Sequence, residues 1–207
     1  MEIKNVILIG YGGHAKVIHE ILKKRSDIHI LGYIDNQDKG VPLKWLGDDE
    51  KIKGVETDSL FLVLGIGYSP NSRKREKLYR YYKEKGYSFL SVIHDQATIS
   101  EEAVLGEGVQ IMAGAIIQPG VSILENVLVN TGAIIDHESR VHAHVHIAPR
   151  ATLCGNVVIN ESVYVGAGAV IIQNIMVGQD SVIAAGATVV RNVESHSLMK
   201  GVPARKE

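Results

Sequence analysis

Sixteen positions spaced six residues apart, from Ile99 through Leu105, Ile111, Ile117, Ile123, Val129, Ile135, Val141, Ile147, Leu153, Ile159, Val165, Ile171, Val177 and Ile183 to Val189, carry only Ile, Leu or Val. Were about one residue in three aliphatic, chance would produce such a run with odds on the order of one in ten million or less. Two residues before each of these positions stands Ala, Val or Ser, with Ile175 the single departure. The pair at i−2 and i lies on one face of a short strand, because strand side chains alternate, and the rest of each hexad must turn the chain. Each coil of such strands buries its inner face only by stacking on the next, so the segment is expected to form a parallel β-helix.

This repeat resembles that of the hexapeptide-repeat transferases. The resemblance implies a left-handed parallel β-helix with three hexads per triangular coil, a hand opposite to the usual crossover rule. Sixteen hexads then make just over five coils.

The whole chain has 207 residues, 45% of them hydrophobic, and a formal charge of −1 from 22 basic and 23 acidic side chains. That balance gives no reason to expect a nucleic-acid partner. No run of about eighteen apolar residues is present to span a bilayer, and the opening MEIKNVILIGYGGH reads as a strand entering a turn with no cleavable signal. A single cysteine, Cys154, excludes an internal disulfide, and a cytoplasmic protein is expected.

Residues 1–93 follow a different grammar. Val6 to Gly10 is a buried-strand run, Gly10-Tyr11-Gly12-Gly13 a turn, and His14 to Lys24 has helical spacing at Val17, Ile18, Ile21 and Leu22. Strands follow at Ile28 to Ile34 and Leu60 to Leu64, and a helix at Arg73 to Lys85. Alternating strands and helices predict a small Rossmann-like parallel sheet, handing over to the β-helix of residues 94–207, whose C-terminal residues cap the last coil.

Gly10-x-Gly12-x-x-Ala15, with Asp35 downstream, formally satisfies a dinucleotide fingerprint. The glycines admit close backbone approach, and the helix N-terminus behind them favours an anion, which suits any nucleotide phosphate. About ninety residues leave no room for the second half of an NAD-binding fold, so a nucleotide-sugar site is preferred over NAD and over glycines serving only a tight turn. Gly10-Tyr11-Gly12-Gly13-His14, Asp35-Asn36, Gly65 and Ile93-His94 together resemble the N-terminal domain of bacterial sugar acetyltransferases. These are of the sialic acid O-acetyltransferase type and the UDP-4-amino-sugar N-acetyltransferase type of bacillosamine pathways. The resemblance, which extends over nearly the whole chain, implies that Gly12, Gly13 and His14 touch the phosphates, Asp35 and Asn36 the nucleoside, and Gly65 the same pocket. Ala15 departs from the pattern, where a glycine often follows the histidine.

Four of the nine histidines fall between 137 and 146. His142, His144 and His146 alternate as ligands on one strand might, but the hexad frame spreads them over two strands and a turn, so no metal is expected. His142 and His144 are expected to be solvated. His137 follows the inward Ile135 by two residues and sits at a prism corner, with Asp136 and Glu138 available to fix its tautomer and raise its basicity. Acetyl transfer from a thioester to an amine or hydroxyl needs a proton removed, a task imidazole suits. In the family the chain resembles, a His-Glu pair has this role, so His137 and Glu138 are the expected catalytic residues.

His146 lies nine residues after His137, half a coil, so the two should face different sides of one prism. A three-fold assembly would set one chain's His137 beside a neighbour's His146. The resemblance implies a homotrimer with acetyl-CoA between adjacent β-helices, His146 at the acetyl group, and Ala167 and Ala185 along the coenzyme. Gly155, eighteen residues after His137, is placed on the next coil, where its N–H faces the oxyanion. The terminus Lys200-Gly201-Val202-Pro203-Ala204-Arg205 resembles the family's usual ending. No base partners Cys154, and direct transfer needs no acyl-enzyme.

The sequence thus predicts an acetyl-CoA-dependent N-acetyltransferase acting on the 4-amino group of a UDP-4-amino-4,6-dideoxy sugar for surface polysaccharide or glycan synthesis. O-acetylation of a sialic-acid-type or other sugar hydroxyl is the near alternative. A non-catalytic β-helix scaffold or carbohydrate-binding protein is the distant one.

Overall fold

The computed structural model describes residues 3–48, 60–68 and 72–207; Met1 and Glu2 of the opening segment lie outside them. The chain divides into two compact units between Val92 and Ile93.

In the first unit, β1 (Lys4–Ile9), β2 (Ile28–Ile34), β3 (Leu60–Leu64) and β4 (Ser88–Phe89) form a parallel sheet in the order β2-β1-β3-β4, with α1 (Gly13–Leu22) and α2 (Lys74–Glu84) as crossovers. Ile7, Ile9, Ile34, Leu62 and Leu64 join Tyr79, Tyr82 and Phe89 in one buried cluster. The order reverses at β1, the central strand, so the carboxyl ends of β1 and β3 open a crevice where ligands of such sheets bind.

β5 (Val92–Ile93) spans the division, and the second unit continues with sixteen two-residue strands, β6 (Thr98–Ile99) to β21 (Thr188–Val189), six residues apart. Each ends on one of the sixteen aliphatic positions. Their parallel pairings advance by eighteen residues, as in Ser122↔Arg140 and Leu128↔His146, so three hexads close one coil of a left-handed β-helix. Three faces result, named here for their central strands β12 (Ile134–Ile135), β13 (Arg140–Val141) and β14 (His146–Ile147). Along the inward ladder, Ile123, Ile135, Ile147, Leu153 and Val165 are fully buried, each such side chain contributing about 1.5–3 kcal/mol by burial. A hairpin of β22 (Leu198–Lys200) and β23 (Arg205–Lys206) adds to the β14 face and covers its open edge.

Most corners need a left-handed residue three positions after the inward aliphatic, which accounts for Gly114, Gly120, Gly132, Asn126 and Asn156 there. Glu138 and His144 adopt the same positive φ, at 59° and 61°.

Candidate active site

The first unit carries a cleft of about 640 Å³ lined by all six residues expected there, Gly12, Gly13, His14, Asp35, Asn36 and Gly65. Gly12 caps α1, and a side chain added at Gly12 or Gly13 would meet nothing within 4 Å, so the backbone of this helix N-terminus faces open space. Gly65 is needed for contact, since a Cβ there would strike the Gly10 carbonyl and the Ala15 side chain. Ala15 therefore packs beneath the turn.

Side chains lock this turn. The Tyr11 amide donates to Asp35 Oδ2 at 2.9 Å and the Tyr11 hydroxyl pairs with His19 Nδ1 at 2.6 Å. Burial, and after it the nearby Lys23, lowers the His19 pKa. Asp35 Oδ1 pairs with Lys39 at 3.1 Å. Burial works against the Asp35 charge, but the Tyr11 amide and Lys39 outweigh it and hold the carboxyl below its ordinary value. Behind the loop, Tyr33 donates to Asp38 at 2.6 Å and accepts the Lys39 amide at 2.7 Å. Arg75, buried in α2, donates to the carbonyl of Ile66 at 2.9 Å and braces the segment that lines the cleft beside Gly65; burial alone lowers its pKa to about 9, so it remains charged near neutrality. Sequence reasoning missed the cleft's cations Lys39 and Lys74. The only signal for Lys39 was its place four residues after Asp35.

In the second unit, His137 and Gly155 share the corner between the β12 and β13 faces. His137 Nδ1 stands 3.6 Å from Glu138 Oε2, both side chains more than half exposed, near enough for attraction but longer than a hydrogen bond. Glu138, rather than Asp136, faces the ring, because Asp136 Oδ1 accepts the His137 backbone amide at 2.8 Å. With its proton on Nδ1, the nitrogen nearer Glu138, the ring has Nε2 as its basic atom. The Cε1–Nε2 edge of the ring lies against Gly155, where an added Cβ would be 2.5 Å from both atoms.

His146 is on the β14 face and buried, edge-on to Tyr164 with ring centroids 5.2 Å apart. Asn130 Nδ2 lies 3.5 Å from its Nε2, a neighbour the sequence reading did not select although the eighteen-residue coil stacks Asn130 on Ala148. Exposed Ala167 and Ala185 stack at the next corner, joined through Gly186 N–H to Ala167 C=O at 2.9 Å. Added side chains at Gly168 and Gly186 would meet nothing within 4 Å, so this corner is open backbone. Gly155 and the other expected coenzyme residues thus sit at different corners. His144 corrects an expectation: it is buried, with Nδ1 2.9 Å from Asn126 Nδ2, because its backbone forms a left-handed corner whose ring stacks onto the preceding coil. His142 follows β13 and His146 opens β14, so the two belong to different faces.

Comparisons bear on both units. Residues 5–82 match the family model described as the PglD N-terminal domain. A segment of 116 residues is 37% identical to UDP-N-acetylbacillosamine N-acetyltransferase of Bacillus subtilis (strain 168), covering 53% of this chain and about half, 52%, of that protein. Over 99% of its length the chain matches the acetyltransferase domain of PglB from Neisseria gonorrhoeae FA1090, with 29% identity, all of that chain covered and a TM-score of 0.91. PerB from Caulobacter crescentus, solved with CoA and GDP-perosamine, matches over 99% of this chain and 98% of its own at 35% identity and a TM-score of 0.88. Histidine-to-asparagine and histidine-to-alanine variants of that enzyme are also among the matching structures.

Proposed function

The chain belongs to the bacterial hexapeptide-repeat sugar acetyltransferases, and we propose from this premise that it N-acetylates the 4-amino group of a nucleotide-linked 4-amino-4,6-dideoxy sugar with acetyl-CoA. The observation that carries the proposal is the corner on which the His137 ring, oriented by Glu138, meets Gly155. Relatives named for N-acetylating a UDP-linked and a GDP-linked sugar support the amine over a hydroxyl. In this reading the α1 N-terminus, Gly12, Gly13, His14 and the cleft lysines hold the diphosphate, Asp35 and Asn36 face the nucleoside, and Gly65 keeps the cleft floor thin. The neutral amine attacks the thioester carbonyl, forming the C–N bond. His137 Nε2 takes the amine proton, the Gly155 N–H steadies the oxyanion, and the C–S bond breaks to release coenzyme A, which receives the proton.

One chain does not assemble these parts. His146, Ala167 and Ala185 line the β14 face and its junction with the β12 face, whereas His137 and Gly155 lie at the far side of the β12 face. Between them Ile116, Ile134, Thr152 and Val170 point outward in a half-buried β-branched stripe. We assign acetyl-CoA to the junction between neighbouring subunits of a homotrimer, each giving one corner. No helix among the described residues is long and apolar enough to cross a membrane. The reaction is placed in the cytoplasm, with its two activated co-substrates, in surface polysaccharide or glycan synthesis.

The test is free-thiol release from acetyl-CoA with a panel of UDP- and GDP-linked sugars bearing either a 4-amino or a 4-hydroxyl group. Release with 4-amino sugars only is expected. Release with hydroxyl sugars only would move the enzyme to O-acetylation, and silence across the panel would favour a scaffold.

A further inference from the structure

Gly155 has an ordinary negative-φ or extended backbone, unlike the twelve glycines of positive φ among the described residues, so conformational freedom is not what the position requires. Room is. A Cβ there would lie 2.5 Å from both Cε1 and Nε2 of His137 and 3.1 Å from Cδ2. Gly106, Gly166 and Gly178 make room for the backbone of the next coil, but Gly155 makes room for an imidazole.

The turn bearing this glycine is fastened to the turn bearing the histidine. The Asn156 amide donates to the His137 carbonyl at 2.8 Å. Ser139, fully buried, donates from Oγ to the Cys154 carbonyl at 3.1 Å and accepts the Val157 amide at 3.1 Å. Among the sixteen inward positions two before each aliphatic, only 139 and 181 are serine. Ser181 makes the same clip, to the Glu194 carbonyl and the Ser197 amide, so an inward serine is a general fastener and one stands directly under the base.

We infer that Gly155 and Ser139 are positioning residues: the bare Cα of Gly155 is the seat on which the His137 ring rests, and Ser139 fixes that seat against the coil carrying His137. This rests on the proposed role of His137 and states what sets where its Nε2 stands. An alanine at 155 obliges the ring to retreat by about 1 Å to reach the ~3.5 Å of ordinary contact. Displacements of that size at reacting groups lower rates by up to about 100-fold. The three atoms nearest the new methyl all belong to the His137 ring, whose side chain is more than half exposed and free to give way, so the fold is expected to be kept.

The experiment measures kcat and KM of the full chain with acetyl-CoA and its accepted nucleotide sugar for Gly155→Ala, His137→Ala and the double variant. The His137 ring is followed in parallel by 1H–15N NMR. Gly155→Ala is expected to lower kcat at least about tenfold with either KM within about twofold, to shift the His137 ring resonances, and to add less than about twofold in the His137→Ala background. Ser139→Ala should give a smaller loss with the same dependence on His137. An equal Gly155→Ala loss in both backgrounds, or an unchanged kcat, would overturn the seat. If His137→Ala keeps full activity, the base assignment fails instead, and unmoved His137 resonances in Gly155→Ala would then reject the seat on their own.

Discussion

Two corners of the same β-helix are built from one hexad and used in opposite ways. At the junction of the β12 and β13 faces the sequence adds groups: His137 and Glu138 project, and Gly155 gives way only to hold a ring. At the junction of the β14 and β12 faces it removes them, leaving Ala167, Gly168, Ala185 and Gly186 as open backbone. The inward ladder is the same under both. A repeat that fixes the core leaves its corners free, so under the proposed function the base and the coenzyme site are separate edits to one scaffold.

The contrast predicts different kinetic losses at each corner. The largest belongs to His137→Ala, which should lower kcat about 10²- to 10⁴-fold while leaving the KM for acetyl-CoA unchanged, read in steady-state thiol release. Next is Ala167→Trp, which fills the stripped corner. It should raise the KM for acetyl-CoA by roughly ten- to a hundredfold, about 1.4 to 2.8 kcal/mol, with kcat at saturation nearly kept. A kcat loss from the tryptophan or a KM effect from the alanine would erase the division between the corners. The smallest effect belongs to neither corner. Asp35, lowered below its ordinary 3.8 by the Tyr11 amide and Lys39 against the pull of burial, stabilises the first unit fully above that value and loses the contribution as pH falls through its folded pKa. Thermal melts of Asp35→Asn should therefore lie below those of the unaltered protein near pH 6 and converge with them below about pH 3.8.

The β-helix was legible because its period is arithmetic. Each strand ends on a residue counted in advance, and adding eighteen to His137 placed Gly155 beneath it. What arithmetic could not show is which carboxylate faces the ring: Asp136 and Glu138 are equal neighbours in sequence, and only the left-handed φ of Glu138 and the Asp136 bond to a backbone amide separate them. His144 misled for the same reason, since a turn position suggests water until a stacked Asn126 covers it. In the first unit the glycine turn and Asp35 were legible from motif. The Tyr33, Asp38 and Lys39 lock was not, because it depends on a loop with no periodic pattern. Ser139 looked like a small core residue, and its clip emerges only when the neighbouring turn is seen.

The most direct measurement is subunit complementation between the two corners. His137→Ala and Ala167→Trp chains are co-expressed with different tags, and mixed oligomers are isolated through both and assayed at acetyl-CoA below the KM of the unaltered enzyme, where each variant alone is weak. Where each site takes His137 from one chain and the open corner from the next, every mixed trimer has one interface of its three with two intact halves, and activity should return to about a third of that of the unaltered enzyme. If both corners serve one site within a single chain, no mixed interface is intact, and activity no higher than that of the two variants alone would contradict a site shared between subunits.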